Sequence, residues 1–91
     1  MAYVMARLEV PDFDTWKQRF DGDPAARRDA GTGHRLYRSS DNPNEVIVQV
    51  EFPSTEIAKS FRERLLASGA IDDLKLPAPP AVVEEAEAVS Y

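Results

Sequence analysis

Stretches with the period of a strand and stretches with the period of a helix alternate along this chain, and their order restricts the fold more than any single residue does. From Tyr3 to Val10, the residues Val4, Ala6, Leu8 and Val10 fall on one side and Tyr3, Met5, Arg7 and Glu9 on the other, as in a strand with one buried face. Pro11 stops that ladder. Asp12 then stands in the N-cap position of a helix whose Phe13, Trp16 and Phe20 share one stripe. Asp21-Gly22-Asp23-Pro24 bends the helical region, because aspartate followed by proline starts a second short helix, expected over Pro24 to Ala30. Gly31-Thr32-Gly33 turns the chain into a second extended run, His34 to Ser39.

Asp41-Asn42-Pro43-Asn44 gathers turn formers ahead of the β-branched, alternating run Val46 to Phe52, which predicts a hairpin. Pro53 and Ser54 open another helix through about Ser68, where Ile57, Phe61 and Leu65 repeat every four residues and Gly69 supplies the stop. Ile71 to Pro80 reads as an irregular proline-rich linker with Leu74 and Leu76 tucked inward, since Pro77, Pro79 and Pro80 forbid regular pairing. Ala81 to Tyr91 is taken as the last strand. Glu84 to Ala88 has helical propensity, but a helix there would leave the sheet short of its fourth member. The order strand, helix, strand, strand, helix, strand is the split βαβ plan, an α+β ferredoxin-like fold in which a four-stranded antiparallel sheet carries helices on one face. Residues 1–91 form a single domain, because a chain of this length has room for one core.

The other sheet face needs a cover. Tyr3, Met5, Arg7 and Glu9, with Arg35 and Tyr37, then Ile47, Gln49 and Glu51, are too mixed for a monomer core and too apolar for a bare surface. A second copy of the same sheet meets both conditions and predicts a homodimer built as a dimeric α/β barrel, with Arg7 and Glu51 able to pair across or within it.

Composition removes several classes of function. Cysteine is absent, so disulfides, thiolate nucleophiles and cysteine metal sites are excluded, and a reducing cytoplasm suits the chain. Sixteen acidic against eleven basic residues give a net charge of −5, which disfavours a nucleic-acid partner. The adjacent pair Arg27-Arg28 reads as the solvated face of a helix. No export signal precedes the first strand, and apolar runs such as Val46-Ile47-Val48 fall far short of a membrane span. With one histidine and scattered carboxylates, Asp72-Asp73 and Glu84-Glu85 among them, no metal site is expected. No phosphate loop, dinucleotide fingerprint or nucleophile elbow occurs, so no cofactor is expected either.

Val10-Pro11-Asp12-Phe13-Asp14-Thr15-Trp16 through Phe20, the strand Arg35-Leu36-Tyr37-Arg38-Ser39, and above all Asp41-Asn42-Pro43-Asn44-Glu45-Val46 resemble the antibiotic-biosynthesis-monooxygenase-like superfamily of dimeric α/β-barrel proteins, in its uncharacterised cyclase-like branch. The resemblance covers most of the chain up to Phe61. It implies a pocket between sheet and helices and dimerisation through the opposite face. It does not fix a reaction, because that superfamily holds cofactor-independent oxygenases, isomerases, haem-degrading enzymes and proteins without known activity. The residue set of the haem-degrading branch has no match here.

His34 is the sole histidine and the side chain best suited to exchange protons near neutrality. If His34, Leu36 and Arg38 face the helices, they supply a proton acceptor, an apolar wall and an anion anchor, whereas Arg35 and Tyr37 go to the dimer face. A lone histidine near a strand end is more often structural, and that weighs against the assignment. Trp16, Phe20 and Phe61 could clamp a flat ligand, although aromatic residues at helical spacing serve more often as core. The expected function is a cofactor-independent, monooxygenase- or cyclase-like reaction on a small aromatic or polyketide-like substrate, with His34 and Arg38 as catalytic residues and Trp16, Phe20, Leu36 and Phe61 as ligand contacts. The alternative is a non-catalytic ligand-binding or interaction dimer.

Overall fold

A computed structural model describes residues 1–72 and 74–91. In chain order it contains β1 (Ala2–Glu9), α1 (Phe13–Asp21), α2 (Arg27–Ala30), β2 (Gly33–Arg38), β3 (Glu45–Phe52), α3 (Thr55–Ser68) and β4 (Ala81–Glu84). The strands form one sheet in the order β2-β3-β1-β4, and every neighbouring pair is antiparallel. This is the ferredoxin-like α+β arrangement that the alternation of periods predicts.

Local chemistry fixes where the elements begin. The Asp12 carboxylate accepts a hydrogen bond from the backbone of Thr15 at 3.0 Å and another from its hydroxyl at 2.8 Å, which caps α1. The same helix start is tied to the hairpin loop, because the amide of Phe13 donates to Asn44 Oδ1 at 3.2 Å. The hairpin closes as expected, with Ser39 N–H donating to the carbonyl of Glu45 at 3.0 Å. Ser54 caps α3 by accepting from the amide of Ile57, and Gly69 ends that helix at φ 74°, a left-handed conformation that favours glycine.

Three expectations are corrected. The short helix starts at Arg27 instead of Pro24, because Asp23 and Ala26 both take left-handed backbone conformations at φ 55°. Asp23 still acts as its cap from a distance, accepting from the amides of Arg27 at 2.8 Å and Arg28 at 3.3 Å. The last strand stops at Glu84. It pairs with β1 from Met5↔Ala81 to Ala2↔Glu84, so a longer strand would run past the start of its partner, and 85–91 has no regular structure. Lastly, within the chain Arg7 pairs with Glu45 and not with Glu51. Arg7 lies opposite Ile47, one cross-strand step from Glu45 but two from Glu51, which instead accepts from the Thr32 hydroxyl at 2.8 Å.

The linker returns to the sheet where the amide of Glu9 donates to the carbonyl of Lys75 at 2.8 Å, and Leu74 and Leu76 pack against the core. The core lies between the sheet and the helices. Val46 and Phe52 on β3 are fully buried, and Phe52 meets Phe61 of α3 with ring centroids 5.0 Å apart. Helix α3 rests directly on β1, β3 and β4, whereas the backbone of α1 stands farther off. The aromatic side chains of α1 bridge that gap, and the space they leave is the cavity described next.

Candidate functional site

The cavity has a volume of about 80 Å³, with Val4, Leu8 and Val48 of the sheet on one side and Trp16, Phe20 and Phe61 of the helices on the other. Its surface is almost wholly apolar, although Arg19, Asp23 and Arg27 are among the residues that line it. A void of this kind favours an apolar occupant.

From the cavity a row of rings leads outward. Phe13 and Trp16 lie 6.0 Å apart, Trp16 stacks on Phe20 at 5.1 Å, and Phe20 meets His34 edge-on at 5.0 Å. The register His34↔Val50, Leu36↔Val48 and Arg38↔Val46 puts all three side chains on the helix side, and sends Arg35 and Tyr37 to the opposite face. His34 itself is exposed and lines a separate groove of about 250 Å³ between the end of α2 and the start of β2. Partial burial is the largest cause that lowers its pKa below the usual 6.5, and the positive charges of Arg27, Arg28 and Lys17 lower it further against the opposing pull of Asp21. The shift favours the neutral ring, the form that can accept a proton.

Sequence reasoning missed Arg27. It placed this residue with Arg28 on a solvated helix face, and only Arg28 is exposed; Arg27 retains 5% of its surface. Its Nη1 donates to the carbonyl of Phe20 at 2.7 Å and to Asp23 Oδ1 at 3.0 Å, and the guanidinium lies 3.6 Å from the centre of the Phe20 ring. Nε and Nη2 are buried with no partner. Leaving buried charged donors unsatisfied costs upward of about 1–3 kcal/mol, so the fold carries them against its own stability. The one signal in the sequence was the Asp23-Pro24 break, which turns the first residue of α2 inward.

The expected site residues do not all converge. Trp16, Phe20 and Phe61 line the cavity, and His34 touches it only through the Phe20 ring. Leu36 packs against the core beside it. Arg38 sits at the far end of β2, where its Nε donates to the carbonyl of Pro43 at 3.0 Å and its guanidinium lies 4.0 Å from the Phe13 ring centre. It is thus engaged with the hairpin loop and α1, away from His34. Among the described residues, no group of three potential metal ligands gathers, and no helix is long and apolar enough to cross a membrane. Asp73 lies outside the described residues.

No protein-family model and no curated protein matches the sequence. Solved structures do match in fold. A candidate antibiotic biosynthesis monooxygenase from Deinococcus radiodurans superposes with a TM-score of 0.62 at 14% identity, over 100% of this chain and 98% of that one. One from Nitrosomonas europaea gives 0.59 at 14% identity, over 91% and 94% of the two chains. A Mycobacterium tuberculosis protein gives 0.58 at 24% identity, over 94% and 98%. Together with the element and sheet order, these superpositions show that the chain shares the fold of these proteins.

Proposed function

We propose that this protein is a cytoplasmic, cofactor-independent monooxygenase- or cyclase-like enzyme that acts on a small aromatic or polyketide-like substrate. The observation that carries this reading is the apolar, aromatic-walled cavity whose Phe20 ring meets His34 edge-on. The apolar part of the substrate lies against Trp16 and Phe20, and its acidic C–H or O–H extends to the groove, where the neutral His34 takes the proton. In an oxygenation, the carbanion then adds to molecular oxygen. Loss of water from the resulting hydroperoxide converts a CH₂ group and O₂ into C=O and H₂O, so no other oxidant is needed. Cyclisation uses the same deprotonation with an internal carbonyl as the electrophile. Arg38, engaged at the hairpin loop, serves as support for α1 in this reading.

Assembly is part of the proposal. The sheet face without helices presents Tyr3, Met5, Tyr37 and Ile47, of which Tyr37 is 45% and Ile47 36% exposed, and a second copy of this face is the cover that suits it.

The test is oxygen uptake and product formation with anthrones, naphthols and linear polyketide mimics, on the native protein and His34→Gln. General-base catalysis contributes roughly 10²- to 10⁴-fold, so a loss of that size in a folded variant is expected. An unchanged rate would remove His34 from the mechanism. A specific observation favours the second reading, a non-catalytic ligand-binding or interaction dimer: His34, the group that would take the proton, is outside the lining of the cavity. Saturable binding with no turnover across the panel would select it.

A further inference from the structure

Among the described residues, the buried side-chain nitrogens or oxygens without a hydrogen-bond partner are Nε and Nη2 of Arg27. They belong to one fork. With Nη1 committed to Phe20 and Asp23, the Nε–H and the adjacent Nη2–H point the same way, side by side, as the two oxygens of a carboxylate require. Arg27 also lines both spaces at once, the apolar cavity and the groove that holds His34.

The groove points independently to the same chemistry. Its lining includes Arg27, Arg28, Thr32 and His34 and no carboxylate, in a chain of net charge −5. Acidic groups around it are otherwise engaged, Asp23 with Arg27 and the α2 amides, Glu51 with Thr32, and Asp21 with Lys17. A site that joins an aromatic wall to an unsatisfied cationic fork selects a molecule with a flat apolar body and a planar anionic end.

We propose that Arg27 is an anion-binding residue and that the ligand shared by cavity and groove is a small aromatic carboxylic acid, its carboxylate on the Nε/Nη2 fork and its ring against Phe20. This rests on the reading that the cavity holds a ligand, and it names the ligand's class. The fork is closed to solvent as it stands, so entry requires the side chains packed around it to shift. Binding satisfies the stranded donors without a change in the fold.

The experiment titrates the native protein with 1-naphthoate and with its uncharged methyl ester, following the fluorescence of Trp16 and, by NMR, the Nε–H resonance of Arg27. The acid is expected to bind about tenfold tighter than the ester or better, in keeping with charge-assisted hydrogen bonds, and to move the Nε–H resonance downfield at saturation. Arg27→Met should bring the two affinities together, and Arg27→Lys, which keeps the charge and loses the fork, should restore only part of the preference. Should either variant fail to fold, the acid-to-ester ratio and the Nε–H resonance of the native protein decide. Equal affinities, a preference that survives Arg27→Met, or no saturable response to the acid would each overturn the anion site. Oxygen uptake, measured in parallel, separates this from the enzymatic reading: acid-selective binding with no turnover overturns the latter alone, and turnover without acid selectivity overturns only the former.

Discussion

Asp23 and Arg27 should respond to substitution in opposite ways, and the asymmetry follows from how each is buried. Arg27 retains 5% of its side-chain surface and Asp23 19%, with Nη1 and Oδ1 3.0 Å apart. Asp23→Ala strands a buried cation, a class of change that costs roughly 3–5 kcal/mol. It also places alanine at φ 55°, which adds to the loss. A chain of 91 residues has a total stability of roughly 5–14 kcal/mol, so this one change removes about a fifth of it or more. For a domain of this size the melting temperature should fall by at least about 12 °C. Arg27→Met replaces the buried cation with an apolar chain of similar reach and leaves Asp23 accepting from the amides of Arg27 and Arg28. Its effect should stay within about 1 kcal/mol of neutral or be stabilising. In the double variant, the cost of Asp23→Ala should shrink toward that of its backbone term alone. Urea unfolding followed by circular dichroism and by Trp16 fluorescence, at fixed protein concentration, measures all three. If Asp23→Ala lies within about 1 kcal/mol of the native protein, or Arg27→Met is as damaging as Asp23→Ala, the buried-charge argument fails.

An NMR titration of His34 should give a midpoint below the usual 6.5, and Arg28→Met should raise it only in part, because burial is the larger cause. The sign for stability follows: below pH 6.5 the unfolded chain takes up the proton before the folded one does, so this group's contribution is intact above 6.5 and falls as the pH drops toward the folded midpoint. His34→Gln should flatten that part of the stability profile. Gly31→Ala should cost roughly 1–3 kcal/mol in a urea melt, since a Cβ there would lie 3.0 Å from the carbonyl of Arg27 and 3.1 Å from that of Glu51, both backbone atoms that cannot easily yield. Ile47→Lys should convert a dimer into a folded monomer by light scattering, with the core on the helix side intact; an unchanged mass would rule out this sheet face as the interface.

Most of the fold was legible because its causes are local. The alternation of β1 and β3, the Asp12 and Ser54 caps, the hairpin turn and the Gly69 stop each depend on a few neighbouring residues, and each formed where the sequence put it. The facing of His34, Leu36 and Arg38 could be stated only conditionally. Gly31 precedes the strand and Gly33 begins it, and its parity is set by pairing with β3, a contact between residues as far apart in sequence as Gly33 and Glu51. The length of β4 depends in the same way on where β1 begins.

The site was harder to read because its defining group contradicts its own residue type. Arginine beside arginine on a short amphipathic turn is normally solvated, and nothing in the spacing of Arg27-Arg28 distinguishes the two. The difference arises from two left-handed residues, Asp23 and Ala26, which rotate the start of α2 so that one arginine faces the Phe20 ring and the other faces water. A left-handed alanine and a half-satisfied buried guanidinium are both unfavourable on their own. Their occurrence together, five and four residues before Gly31, where a side chain would be crowded by backbone, means that this corner carries several destabilising choices at once. Choices of that kind persist where a site uses them. The same Arg27→Met variant therefore puts the point to a direct test: if the corner is maintained for a ligand, that variant gains or keeps stability and loses selectivity for the acid, and a variant that loses stability while keeping selectivity would show that the guanidinium is there for packing.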